Sequence, residues 1–324
     1  LVFDQEKGIK NIENSDLQNI KNKLIELKIV DPGIGSGAFA VDILNKIVRL
    51  IEKIDSIIQE PDKRYSNRYE LRKYLIENTI YGVDIQRRAV HLAHLRLWLS
   101  LVVDMEIENV KDIPPLINLD FKVLEGDSLK SKIFGYPFDI SKINTAGRKT
   151  PEKIMETIEK FRKLKKDFAE TYDESKKKRL KVKIEKKKRE IALWHLSQIK
   201  KKKSSELLAK ELQLSLFKRP VQQDLFEKTE QEKERIRKEI NEIESKITKI
   251  KEGEKIEAFN WWLDFFEVMG AKDGFDIGIG NPPYGMKVLE SIAKDEFHLG
   301  NKDSYGVFTA MALNILKPNG TLCF

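Results

Sequence analysis

The chain has 324 residues, 40% of them apolar and 35% charged, with a net charge of +8 and an isoelectric point near 9.1. That length and apolar content suit one large domain or two of ordinary size. No apolar run reaches the roughly 18 residues of a membrane span, the N-terminal residues lack a basic-then-apolar signal pattern, and the single cysteine, Cys323, excludes an internal disulfide and a cysteine-based zinc site.

A cytoplasmic protein with no membrane partner is the expectation, and Cys323 reads as a buried strand thiol. Leu27 to Val30 is a short apolar run followed by DPGIGSGAFA, which predicts a strand, a glycine-rich loop and a helix. Val41, Leu44, Ile47, Val48, Ile51 and Ile54 continue that helix at spacings of three and four. NTIYGVD, Asn78 to Asp84, is a second strand ending in an acid, and IQRRAVHLAHLRLWLSLVV after it is an apolar helix. FKVLEGDSL, Phe121 to Leu129, is a third strand with its exit loop. FDIGIG is a fourth strand, Ser304 to Leu316 a helix, KPNG a turn, and TLCF the start of a fifth strand. Strands alternating with helices predict an α/β fold with a parallel-rich sheet and helices on both faces.

The stretch from about 150 to 256 breaks this rhythm. Ile154, Ile158, Phe161, Leu164, Phe168 and Tyr172 are spaced by three or four, as are Ile236, Ile240, Ile243, Ile247 and Ile250. The middle is mixed and contains Pro220, so two long antiparallel helices are expected as a coiled-coil-like insertion. Pro151 to Ile256 holds 32 Lys and Arg against 21 Asp and Glu, a net +11, which leaves the remainder at −3. Such concentration suggests nucleic acid, and a lysine-rich helix kept for solubility fits as well. Lys176 to Glu190 has ten basic residues in fifteen and is expected in solvent, with Lys176, Lys177, Lys178, Lys186, Lys187 and Lys188 against DNA phosphates. The expected organisation is a cofactor-binding half at 1–149, the basic helical insertion at 150–256, and a truncated catalytic half at 257–324.

The glycine loop carries Asp31, Gly33, Gly35 and Gly37. This is G-x-G-x-G rather than the dinucleotide G-x-G-x-x-G, and it lacks the Lys-Ser/Thr end of a phosphate loop. Glycines let the backbone approach a ligand, and a side chain at Gly35 is expected to crowd it. The following helix N-terminus favours a negative group. Asp84, at the end of the second strand, can accept from two ribose hydroxyls and can also cap the next helix. Asp127, after the third, can accept from an adenine amine or close a turn. Three strand ends in series describe a site for an adenosine-containing ligand with a charged tail, and S-adenosylmethionine has those parts.

NPPY follows the fourth strand. An adenine amine is a poor nucleophile because its lone pair is delocalised into the ring. The side-chain oxygen of Asn281 and the carbonyl of Pro282 can hold its two N–H groups and favour the pyramidal nitrogen that attacks a methyl sulfonium. The proline after Asn281 keeps that residue extended, and Tyr284 offers a ring for stacking. A duplex base reaches such a site only by flipping out. No metal is expected. His91 and His94 have no third ligand nearby in sequence, and Trp261 and Trp262 read as packing.

DPGIGSGAF, IENTIYGVDIQRRAVHLAHLRLWLSL, LEGDSL and FNWWLDFFEVM with GFDIGIGNPPYG resemble the adenine-N6 DNA methyltransferases of combined restriction–modification (type IIG) enzymes. NPPY alone is shared with RNA and protein-glutamine methyltransferases, which are the alternatives together with a degenerate, non-catalytic DNA-binding scaffold. The resemblance implies a Rossmann-like S-adenosylmethionine-dependent methyltransferase fold. It implies Asp31, Gly33, Gly35, Phe39, Asp84, Asp127 and Ser128 at the cofactor, and Asn281, Pro282 and Tyr284 at the target base. It further implies double-stranded DNA as partner, and a nuclease and a target-recognition domain in the full-length chain, with Mg only where that nuclease exists. The Thr-Pro pair usual before the glycine loop is not seen ahead of Asp31, no convincing Pro-Asp…Glu-X-Lys set is found, and the sequence stops inside a strand at Phe324, so a fragment is expected.

Overall fold

A computed structural model describes residues 12–59, 62–105, 119–129, 132–133, 136–137, 152–171, 173–216, 223–253, 259–269, 274–285, 287–288, 292–297, 300 and 303–324. They divide into two units, Leu1–Ser131 with Phe259–Phe324, and Lys132–Ala258.

The first unit begins with α1 (Asn14–Glu26), β1 (Ile29–Asp31), α2 (Ala38–Ile58), α3 (Arg68–Asn78), β2 (Ile80–Asp84), α4 (Arg87–Val102) and β3 (Val123–Glu125). The second unit follows: β4 (Lys132–Ile133), β5 (Tyr136–Pro137), α5 (Glu152–Glu170), α6 (Glu174–Leu216) and α7 (Gln223–Lys251). The first unit resumes with α8 (Trp261–Asp264), α9 (Phe266–Met269), β6 (Phe275–Ile279), a π-helical turn (Ile292–Glu296), α10 (Ser304–Ile315) and β7 (Leu316–Cys323).

Its sheet has the order β3-β2-β1-β6-β7, and every neighbouring pair is parallel. Side chains alternate across the pleat. Ile29 and Ile80 enter a core with α2, α3 and α4, while Val30, Tyr81 and Val83 enter another with α8, α9 and α10. This is the α/β, Rossmann-like methyltransferase architecture, with helices on both faces. The second core is aromatic: Tyr81 meets Phe265 edge-on at 5.3 Å, and Phe259 meets Trp261 at 4.8 Å. Each such pair adds roughly 0.5–1.5 kcal/mol beyond its burial.

Several local expectations are corrected. KPNG does not precede the last strand but lies within β7. Phe275 pairs with Leu316 and Ile277 with Thr321, so β7 bulges against β6, and Asn319 takes a left-handed φ of 66°. Cys323, expected to be buried, is exposed near the end of β7, where exposed and half-buried residues alternate. Helix α3 has no counterpart among the sequence expectations, although Asn67 accepts from the Glu70 amide and Glu70 accepts from the Ser66 amide, close to a capping box.

Among the described residues the second unit has three helices rather than the two expected: α6 runs unbroken for 43 residues and packs against both α5 and α7. The ion pairs Lys200–Glu244, Lys203–Glu239 and Lys210–Glu232 show α6 and α7 to be antiparallel, since one number rises as the other falls. Among the described residues no helix is long and apolar enough to cross a membrane.

Candidate active site

Asp31 closes β1 at 2% exposure. Its Oδ1 accepts the Gly33 amide at 3.0 Å, while its buried Oδ2 has no hydrogen-bond partner among the described residues. Burial pushes the carboxyl up to about 7 against the opposing pull of the Gly33 N–H, and the charge of Asp84 raises it further. The loop then folds onto β2. The Ile34 amide donates to the Val83 carbonyl at 3.0 Å. The Gly35 amide donates to Asp84 Oδ2 at 2.9 Å, and the Gln86 amide to Asp84 Oδ1 at 2.8 Å. Gly35 has a left-handed φ of 53°, so a side chain there is strained whatever it meets.

The third strand end joins the same edge. Asp127 accepts the Leu129 amide at 3.1 Å, closing a turn. Ser128 is buried; its hydroxyl donates to the Pro32 carbonyl at 2.6 Å, and its own carbonyl accepts the Trp261 indole N–H at 3.0 Å. Ser128 therefore ties the glycine loop to the aromatic core. Phe39, in the first turn of α2, leaves its ring half-exposed.

NPPY leaves β6 immediately beside Asp31. A Cβ on Gly280 would lie 2.9 Å from Asp31 Oδ1, so any side chain there would have to displace the Asp31 carboxylate. Asn281 is exposed, Pro282 is buried, and Tyr284 is 63% exposed. Helix α10 meets this loop with residues that sequence reasoning did not single out. The buried Ser304 hydroxyl donates to the Pro283 carbonyl, and Tyr305 stacks on Tyr284 with centroids 5.5 Å apart and planes 14° from parallel. Asp303 forms an antiparallel bridge with Lys287. Acid-Ser-Tyr opening an apolar helix was the available signal. Phe308, one turn on, reaches within 4.0 Å of where a Gly33 Cβ would stand.

Ligands of open parallel sheets sit outside the strand C-termini where the strand order reverses. Here that point lies between β1 and β6, and the glycine loop and NPPY flank it. Away from this edge, His94 contacts the Val123 carbonyl at 3.1 Å, its pKa lowered by burial, and His91 is exposed. Among the described residues no group of three His, Cys, Asp or Glu is placed to hold a metal.

A family model for the Eco57I restriction-modification methylase matches residues 78–324, from the end of α3 through NPPY to the last residue. The chain belongs to the Eco57I restriction-modification methylase family. A second model, the DNA-methyltransferase domain of MmeI, matches residues 6–130 and so includes the glycine loop. A putative type II restriction enzyme and methyltransferase of Methanocaldococcus jannaschii is 25% identical over 333 residues, covering 95% of this chain and 26% of that protein. The chain thus spans about a quarter of the curated relative's length. Together the two models cover residues 6–324, and both describe methyltransferase domains.

The six lysines considered for phosphate binding all lie on α6 but differ in placement. Lys176, Lys178 and Lys186 are exposed, Lys177 and Lys187 are intermediate, and Lys187 pairs with Glu190 at 2.6 Å. Lys188 is only 9% exposed, against the expectation. It falls four residues after Ile184 and three before Ile191, on the inward stripe that Leu180 begins. Arg179, Lys181 and Lys183 are exposed beside the outward lysines.

Proposed function

We propose that this chain transfers a methyl group from S-adenosylmethionine to the N6 amine of an adenine flipped out of double-stranded DNA, as the modification activity of a restriction–modification system. The close approach of Gly280 to Asp31 carries this reading, because it joins a glycine-loop pocket to NPPY at the reversal point of the sheet.

The residues fit a cationic, adenosine-bearing cofactor. Asp31 Oδ2 is a buried acceptor without a partner among the described residues, which a positive group would satisfy. When bound, S-adenosylmethionine supplies an activated methyl on sulfur. Asp84 anchors the loop and keeps lone pairs for ribose hydroxyls, and Asp127 can accept from the adenine amine of the cofactor. Gly33 and Gly35 shape the loop, Ser128 holds its position, and Phe39 offers an exposed ring face. At the target base, Asn281 Oδ1 and the Pro282 carbonyl accept the two N–H groups, leaving the nitrogen lone pair to attack, while Tyr284 stacks on the base. In this reading 1–149 is the cofactor half, 257–324 the catalytic half, and 150–256 an arm whose exposed Lys176, Lys178 and Lys186 meet phosphates. A nuclease and a recognition domain, with Mg for cleavage, belong to the intact enzyme.

The test uses an intact enzyme carrying this chain. Asn281→Ala should abolish N6-methyladenine formation while S-adenosylmethionine binding, measured by calorimetry, stays near parental. Product on cytosine, or full activity in Asn281→Ala, overturns the reading.

A further inference from the structure

Tyr284 presents two ring faces, and one is already taken. Tyr305 lies parallel to it at stacking distance, yet the Tyr284 side chain remains 63% exposed. Resting on the function proposed above, we infer that Tyr305 is a positioning residue for the target base: it backs the Tyr284 ring so that the flipped adenine stacks on the opposite, open face.

Tyr305 is not placed to swing aside. It sits in the first turn of α10, whose start is held to the NPPY segment on either side of the ring pair. Ser304, the residue before it, is buried and donates to the Pro283 carbonyl, the residue before Tyr284. Asp303 bridges Lys287 beyond it. Two adjacent residue pairs, 304 with 283 and 305 with 284, thus meet in register, so the ring rides on a hydrogen-bonded splint. A lone exposed tyrosine samples several rotamers, and a base stacking on it must freeze them. A ring already stacked on its far side is fixed before the base arrives, and the base meets a preorganised platform. The alternative is that Tyr305 occupies the base's own place as a plug. The anchoring of Ser304 and Asp303 argues against it, since a plug must leave.

The experiment measures base capture in the intact enzyme, using a duplex whose mapped target adenine is replaced by 2-aminopurine and following its fluorescence on flipping. The parental enzyme must brighten the probe and methylate N6 of the natural site; failure there sinks the proposed function rather than the role of Tyr305. Given that response, Tyr305→Ala should weaken base capture by roughly two- to tenfold, Tyr305→Phe should restore it, and S-adenosylmethionine affinity should be unchanged in both. Combined with Tyr284→Ala, Tyr305→Ala should add little further loss, because the ring it supports is gone. Unchanged or stronger capture in Tyr305→Ala overturns the inference, the second result marking a plug. So does a loss that Tyr305→Phe shares, or one that reaches cofactor affinity equally.

Discussion

The amide of Gly35 donates to a carboxylate oxygen of Asp84 at 2.9 Å, latching the loop after β1 to the end of β2. The other oxygen holds the Gln86 amide at 2.8 Å. Asp84→Ala deprives both donors of their acceptor, at a cost of about 1–3 kcal/mol. Chemical denaturation should register that loss, calorimetry should show weaker S-adenosylmethionine binding, and Asp84→Asn should fall between. Parental values for both quantities in the alanine variant would mean that the latch organises nothing.

Gly280→Ala sets a methyl group 2.9 Å from Asp31 Oδ1 and 3.5 Å from Phe324. Crowding of this kind costs about 1–3 kcal/mol, and it should also weaken cofactor binding by displacing Asp31. Gly306→Ala is the control. It lies in α10, a Cβ there meets nothing within 4 Å, and its effect should be neutral or slightly stabilising.

Asp31 sets a pH dependence. Its carboxyl titrates near 3.8 when unperturbed and near 7 in the folded protein. Between those values the native state keeps a proton that the unfolded chain has released. Stability from this group therefore falls as pH rises from about 4 to about 7, by up to about 1.4 kcal/mol per pH unit, and is level above. Asp31→Asn should flatten this fall. A cationic ligand beside Oδ2 favours the ionised form, so cofactor binding should tighten as pH rises towards 7 and release a proton, detectable in buffers of different ionisation heat. A pH-independent affinity would separate Asp31 from the ligand.

On α6, exchange of Lys176, Lys178 and Lys186 for glutamine should weaken binding to all DNA sequences alike. It should lower the salt slope by about 0.9 for each phosphate that is no longer neutralised. Lys188→Gln should leave the slope alone, because Lys188 is buried. An altered sequence preference in the triple variant would mark a base reader, and unchanged binding a spacer.

The strand ends are legible because their signals are local. A short apolar run ending in DPGIGSG or in Asp84 states both a strand and where it stops. The burial of Lys188 is hidden by its charge, which suggests exposure, whereas its position in the stripe with Leu180 and Ile184 decides where it points. KPNG has the composition of a terminator, but Pro318 and Asn319 sit in the bulge of β7, where a missing N–H is tolerated. Ser304 and Tyr305 meet NPPY across a separation of about twenty positions, and no spacing rule reports such a meeting.

The neighbours β1 and β6 lie far apart in the chain; Lys28 donates to Asp276 across 248 positions. During synthesis β1 can pair with β2 soon after both emerge, but its other edge waits for β6, some 248 positions later. An unpaired apolar edge invites pairing with another molecule, and a long excursion slows closure. A helical unit that packs mostly between consecutive helices can condense meanwhile, which shortens the effective tether between the two strands. Besides any hold it takes on DNA, the insertion thereby acts on the order of assembly, and lengthening it with unstructured residues should slow refolding more than it lowers final stability.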